Sequence, residues 1–241
     1  MRDSRTARGD IGKRARQIML QAALFDMDGL LLDTERVGLR AFVEVARDHG
    51  LAPRDAELLF LRLVGKTMPR ATDLILAAIP GVDVARLDAD WHAALDRAMA
   101  QTVPLRPSVA ETLAALSAAG IAMAVVTTTR TDRARHHLAL AGILGYFVDV
   151  VGIDRVSRPK PDPEPYHLGA SILGLAPENC AAFEDSDTGT LAAIRAGCAV
   201  WQVPDLRPDG SAPDQVGQEL ADTLAQAVAA SRLLSRGSFQ A

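Results

Sequence analysis

The sequence predicts an α/β protein, a doubly wound parallel sheet interrupted by an inserted block of helices. Three observations predict it. From Pro107 onward, short apolar runs alternate with stretches of helical period, the pattern of βα units in a parallel sheet. The runs 121–126 and 180–183 are apolar without alternation, as strands buried on both faces are. Between 34 and 104, apolar residues recur at helical spacing and no convincing strand appears.

The first strand is Ala22-Ala23-Leu24-Phe25, and it ends abruptly in Asp26-Met27-Asp28-Gly29. A helix begins at Thr34, read as its N-cap, carries Val37, Ala41 and Val45 on one face, and stops near Gly50 with Pro53 beyond. Helices follow at 55–64, 67–79 and 84–102, broken at Gly65, Pro80-Gly81 and Pro104. Beyond Pro107 the expected order is helix 108–119, strand 121–126, helix 131–141 and strand 147–151. A proline-rich loop, a helix to Leu173, strand 180–183, helix 188–196, strand 198–203 and a last helix over 214–234 complete it. Residues 19–33 and 105–235 thus form the α/β core, 34–104 the helical insertion, and 236–241 a short tail.

Composition narrows the function. Hydrophobic residues make up 49% of the 241, enough for a substantial core, while the formal charge of −4 comes without a basic stripe in the body of the chain. Nucleic acid is therefore not an expected partner. No run reaches the ~18 apolar residues of a membrane span, so no membrane partner is expected either. Cys180 and Cys198 fit no zinc spacing and read as reduced, buried thiols of a cytoplasmic protein. The first 17 residues hold six Lys/Arg against two Asp and lack an apolar segment. Residues 1–18 are expected to be a disordered basic tail, with Met19 just before the first strand.

Polar clusters follow the predicted strands. Asp26 and Asp28 stand two apart on an extended segment, so both carboxylates face one site. Thr127-Thr128-Thr129 follows Val126, Arg158-Pro159-Lys160-Pro161-Asp162-Pro163 fills the proline-rich loop, and Glu184-Asp185-Ser186-Asp187-Thr188-Gly189 follows Phe183. Singly, each has a plain explanation as a turn, a cap or a rigid loop. Together they converge on the carboxyl edge of the sheet, where open α/β sheets bind ligands. Four carboxylates there repel, at about 4 kcal/mol for a pair ~4 Å apart and an effective dielectric near 20. A divalent cation offsets that cost, and an all-oxygen site suits Mg²⁺. The hydroxyl and ammonium groups suit phosphoryl oxygens.

The ordered set Asp26-Met27-Asp28-Gly29, Thr127, Lys160 and Glu184-Asp185 resembles the four motifs of the haloacid dehalogenase superfamily of phosphohydrolases, over about residues 21–205. The helical insertion looks like that superfamily's small cap. The run 25–35 and Glu184-Asp185-Ser186 resemble the branch holding phosphoglycolate-type and sugar phosphatases and β-phosphoglucomutase. The resemblance implies a Mg²⁺-dependent phosphatase for a small-molecule phosphate ester, as a monomer or homodimer. It implies Asp26 as nucleophile forming an aspartyl-phosphate and Asp28 as general acid and base. It further implies Mg²⁺ on Asp26, the Asp28 carbonyl and Asp185, with Glu184 directly or through water. Thr127, Thr128 and Lys160 then meet the phosphoryl group, and Lys66 or Arg70 of the cap reaches the substrate.

The sequence departs from the family pattern in places. Arg158-Pro159 replaces small residues before the lysine, Thr127-Thr128-Thr129 keeps the hydroxyls in a less frequent order, and Ser108 stands where glycine is common. Gly38 lies near where mutases of this branch carry a cap histidine, which favours phosphatase over the alternative, a β-phosphoglucomutase-like mutase. A receiver-like phosphoacceptor is the more distant alternative, and it lacks such an insertion. Gly65-Lys66-Thr67 is not a nucleotide P-loop, because Phe60 occupies the earlier glycine position. His136-His137 is expected on a helix surface, and Trp91 and His92 in packing or solvent. Deleting residues 1–18 is expected to leave the circular dichroism spectrum and phosphate release unchanged.

Overall fold

The computed structural model describes residues 19–64, 68–100, 102–207 and 211–236. Six parallel strands form one sheet in the order β3-β2-β1-β4-β5-β6: β1 (Ala22–Phe25), β2 (Ala122–Val126), β3 (Asp149–Val151), β4 (Cys180–Glu184), β5 (Ala199–Gln202) and β6 (Glu219–Leu220). β1 lies between β2 and β4, with Phe25 opposite Val125 on one side and Phe183 on the other. The chain fills one half of the sheet and then the other, so the order reverses beside β1. That reversal opens a crevice at the carboxyl ends of the strands.

The absence of alternation in the strands follows from two covered faces. Ala23 and Phe25 of β1 join a cluster with residues of α5 (Val109–Ala118), α6 (Thr131–Leu140) and α9 (Leu224–Ser231). Ala22 and Leu24 point the other way, into a cluster with α7 (Glu164–Ile172) and α8 (Asp187–Ala196). Every residue of β1 is fully buried.

Between β1 and α5 the chain forms α1 (Thr34–Asp48), α2 (Pro53–Leu63), α3 (Met68–Ala78) and α4 (Val84–Met99). They close on a third apolar cluster. At its centre Phe42, Phe60 and Trp91 meet with ring centroids 5.7–5.9 Å apart. The two connections to the sheet pair with each other: the Asp33 N–H donates to the Pro104 carbonyl (2.8 Å), and the Arg106 N–H donates to the Leu31 carbonyl (3.0 Å). This is the Rossmann-like core with a helical cap that the sequence predicts.

Local details differ. Asp33, not Thr34, caps α1, and its carboxylate accepts from Arg36 (2.8 Å) rather than from the helix backbone. The expected strand at 147–151 narrows to β3, following a 3-10 turn at Leu144–Tyr146. The long last helix does not begin at 214. Gly217 takes φ +112°, and the buried Gln218 donates to Gln202 Oε1 (2.8 Å) and the Asp214 carbonyl (2.6 Å). That side chain organises a loop, the edge strand β6 follows, and α9 starts only after Thr223 caps it by accepting from the Gln226 N–H. Helix propensity there yields to tertiary hydrogen bonding. The 1–18 and 237–241 tails lie outside the described residues.

Among the described residues no helix is long and apolar enough to cross a membrane. Cys180 and Cys198 are free and buried. Burial pushes their thiols up to about 11 and about 12. Thiolate is the reactive form, so both are expected to resist Ellman's reagent in the native protein and to react at once in guanidinium.

Candidate active site

Every polar cluster that the sequence places after a strand arrives at the carboxyl edge around β1. Asp26 directly follows β1, and its N–H donates to the Phe183 carbonyl (3.0 Å), extending the ladder to β4. Thr127 follows β2 and is tied by its N–H to the Val151 carbonyl (2.9 Å). Glu184 ends β4, and its carbonyl accepts from the Val203 N–H (2.7 Å). The side chains therefore stand on paired backbone, not on free loops.

Lys160 enters this edge from the proline-rich loop. Glu164 braces that loop by accepting the N–H groups of Ser157 (2.8 Å) and Arg158 (3.1 Å). The Lys160 ammonium, 3% exposed, donates to Asp26 Oδ1 (2.6 Å), Glu184 Oε1 (2.6 Å) and the Val126 carbonyl (2.8 Å). All three of its donors are used. Glu184 is fully buried and also accepts from the Tyr166 hydroxyl (2.5 Å) and, at Oε2, from Ser186 (3.3 Å). Gly189 makes room for it, since a Cβ there would come within 2.0 Å of its carboxylate. Ser186 caps α8 by accepting the Gly189 N–H (3.1 Å), so the same turn that starts the helix receives Glu184.

Asp26, Glu184 and Asp185 each offer an oxygen within 4.8 Å of the others. Burial raises Asp26 to about 8, with Lys160 opposing and Glu184 adding to the rise. Burial, Asp26 and Glu184 likewise hold Asp185 well above the usual carboxylate range. Burial works against the Lys160 ammonium, yet the fields of Asp26 and Glu184 outweigh it and raise the group. The lysine shift reflects a real ion pair. Three carboxylates, an oxygen of each within 4.8 Å of the others, face one ammonium, and that donor set and charge fit a divalent cation.

Asp28 is not in this cluster by its side chain. Its Oδ2 accepts from the Thr129 hydroxyl (2.7 Å), and both residues line a cleft of about 490 Å³ between the sheet edge and the cap. Thr34, Glu35, Gly38, Phe60 and Trp91 form its cap side. Thr127 is buried and its Oγ1 accepts from the Thr129 N–H (3.1 Å), while Thr128 is exposed. Arg70 is exposed on α3, and Lys66 lies outside the described residues. His137 is not on the helix surface as expected: it is 7% exposed and lines the cleft, and burial lowers its imidazole.

The haloacid dehalogenase-like hydrolase family matches residues 20–197. The chain belongs to that family. Hexitol phosphatase A of Escherichia coli is 36% identical over 184 residues, 75% of this chain and 81% of that protein. The phosphorylated carbohydrates phosphatase of Thermotoga maritima is 30% identical over 200 residues, 82% of this chain and 92% of that protein. The structure of a HAD family hydrolase from Deinococcus radiodurans, with bound phosphate and sodium, superposes with a TM-score of 0.77 at 26% identity, covering 91% of this chain and 98% of that one. This haloacid dehalogenase-like hydrolase is a phosphatase of small-molecule phosphate monoesters, and it is similar to a putative β-phosphoglucomutase of Thermotoga maritima at 28% identity with a TM-score of 0.70.

Thr129, Tyr166, Gly189, Glu35 and Asp205 of this hydrolase have roles here that the sequence motifs do not assign. Thr129 was legible as the last hydroxyl of the Thr127-Thr128-Thr129 run, although the chain bends there rather than running extended. Tyr166 and Gly189 carried no such signal. Glu35, in the first turn of α1, is raised to about 7 by burial, Asp205 and Asp28, with Arg36 opposing. Its carboxyl thus stays protonated to higher pH in the native protein than in the unfolded chain, so its ionisation costs stability as pH rises from about 4.5 to about 7. In metal-free protein, Glu35→Gln is expected to gain on wild type across that window, by on the order of 1–3 kcal/mol, and to run level above it. Paired thermal melts at pH 4.5, 6 and 8 measure the gap; a gap that stays constant with pH would refute the assignment.

Proposed function

We propose that the chain is a Mg²⁺-dependent phosphatase of sugar or polyol phosphates, working through an aspartyl-phosphate on Asp26. The observation that carries this reading is the Lys160 ammonium shared by Asp26 and Glu184 at the centre of a three-carboxylate cluster. Mg²⁺ would be held by the Asp26 carboxylate, the Asp28 main-chain carbonyl and Asp185, and it supplies charge neutralisation between the attacking carboxylate and the phosphoryl oxygens. The contacts of Glu184 with Lys160, Tyr166 and Ser186 favour a supporting part for it over direct ligation.

Asp26 attacks phosphorus, and a bond from its carboxylate oxygen forms as the ester P–O bond breaks. Asp28 gives its proton to the departing oxygen. Water then attacks the aspartyl-phosphate while Asp28 takes a proton back; the Asp26–phosphorus link breaks and inorganic phosphate leaves. Thr129 holds the Asp28 carboxyl in place for both transfers, and Lys160 holds Asp26. Thr127 meets a phosphoryl oxygen. The two buried free thiols suit a reducing, cytoplasmic setting.

The substrate class rests on the cleft and on what the relatives are named for. Hexitol and phosphorylated-carbohydrate phosphatases are among the similar proteins. A cleft of about 490 Å³ lies in the size range of small-ligand sites. It opposes the aromatic Trp91 and Phe60 to the Glu35 carboxylate, and so offers an apolar face together with a hydroxyl acceptor. At Gly38, near where the resemblance puts a mutase histidine, the Trp91 indole donates to the Gly38 carbonyl (3.0 Å). Phosphate release, not isomerisation, is the expected outcome.

The test is a phosphate-release screen over hexitol phosphates, sugar phosphates, nucleotides and phosphoglycolate, with and without Mg²⁺. Sugar or polyol phosphates are expected to turn over, and only with the metal. Asp26→Asn is expected to abolish release, and Asp28→Asn to slow it by ~10²–10⁴-fold. Activity in Asp26→Asn would overturn the mechanism.

A further inference from the structure

Loop residue Asp205, just beyond β5, makes contacts that the proposed chemistry does not use. Its side chain is 1% exposed, and its Oδ1 accepts from Arg36 Nη1 (2.7 Å) and lies 3.0 Å from Arg106 Nη1. Arg36 sits in the first turn of the cap helix α1, and Arg106 stands on the connection that returns to the sheet. Asp33, on the outgoing connection, shares Arg36 at 2.8 Å. One buried carboxylate oxygen therefore joins both connections of the cap.

The other oxygen, Oδ2, is buried and has no hydrogen-bond partner among the described residues. A buried carboxylate oxygen left unpaired is costly, so such an atom points to a ligand. It lies against Gly29, whose φ of +82° and lack of a side chain bring two acids together. A Cβ there would come within 2.3 Å of Asp185 Oδ2 and 3.4 Å of Asp205 Oδ2. Asp185 and Asp205 also line one cavity of about 470 Å³, which shares Glu35 and Val64 with the Trp91 cleft and has room for water.

We propose that Asp205 is a positioning residue for the divalent cation, holding through Oδ2 a water of the cation's coordination shell and so tying that shell to the cap connections. This rests on the metal reading above. Carboxylates one layer out from a metal orient what touches it, and their loss costs 10–100-fold in affinity.

The experiment is titration calorimetry of Mg²⁺ into the full, substrate-free protein as wild type, Asp205→Asn, Asp205→Glu and Asp185→Asn, with melting in EDTA as the folding control. Asp205→Asn is expected to bind Mg²⁺ roughly 10–100-fold more weakly. Its turnover is expected to fall at low Mg²⁺ and recover at high Mg²⁺, a rescue that a purely structural loss would not show. If Asp205→Asn does not fold, Asp205→Glu, which keeps the charge and displaces the carboxylate, carries the same expectation. Wild-type Mg²⁺ affinity in a folded Asp205 variant, with affinity lost in Asp185→Asn, would overturn this proposal alone. Wild-type affinity in Asp185→Asn would overturn the metal reading itself.

Discussion

The buried Lys160 ammonium is the contact on which the rest of the site depends. Its three hydrogen bonds end on Asp26, Glu184 and the Val126 carbonyl, one each from the ends of β1, β4 and β2. Those three strands are neighbours, so one cation fastens the centre of the sheet's carboxyl edge. An ammonium buried this deeply survives only if every proton is accepted. Each acceptor is itself held by backbone pairing across the sheet, which explains why the acids stand at strand ends and not farther along the loops. Tyr166 and Gly189 serve the same contact from the helices behind it, one by donating to Glu184 and the other by leaving it space.

The charges of the site do not balance on their own. Lys160 is raised by its ion pairs, and Asp26 and Asp185 are raised as well, first by burial and then by the neighbouring acids. Removing an acid would relieve the repulsion but would also strip Lys160 of an acceptor. Adding a cation relieves it without that loss. The arrangement is therefore better matched to a doubly charged ion and an anionic group than to either alone, and the protein's own contacts hold the acids ready for both.

Much of this was legible in the sequence, for a local reason. Apolar runs mark strands, and a polar residue at the end of a run has nowhere to go but the carboxyl edge; Asp26, Thr127 and Glu184 were found that way. Lys160 lies in a loop, and only its order among the other motifs placed it. What stayed hidden depends on which side chain folds back across space. Tyr166 looks like any core aromatic of α7, Gly189 like any helix-start glycine, and Asp205 like a turn acid. The same limit explains the last helix, where period and composition favoured helix from 214. The buried Gln218 and the left-handed Gly217 decided for a loop and an edge strand. His137 stands one turn from Ala134 and beside Leu138 on the buried face of α6, where it meets the cleft.

The helical cap and the sheet meet where Asp33 pairs with Pro104 and Arg106 with Leu31. The core presents the acids on paired strands, where little can vary without breaking the ladder. The cap presents Trp91, Phe60 and Glu35 from helices that close on an apolar cluster of their own, while Val37 of α1 and Met99 of α4 join the cluster under the sheet. Phe42, Phe60 and Trp91 meet at tilted and edge-on angles, so a change in any one ring shifts the others and with them the wall of the cleft. Gly38 belongs to that wall, its carbonyl accepting from the Trp91 indole, and a first side-chain carbon there would lie in ordinary contact with Phe60 and Trp91, at 3.7 and 3.8 Å. The fold can therefore change what it binds by repacking the cap, while the Lys160 contact and the carboxylates around it stay as they are.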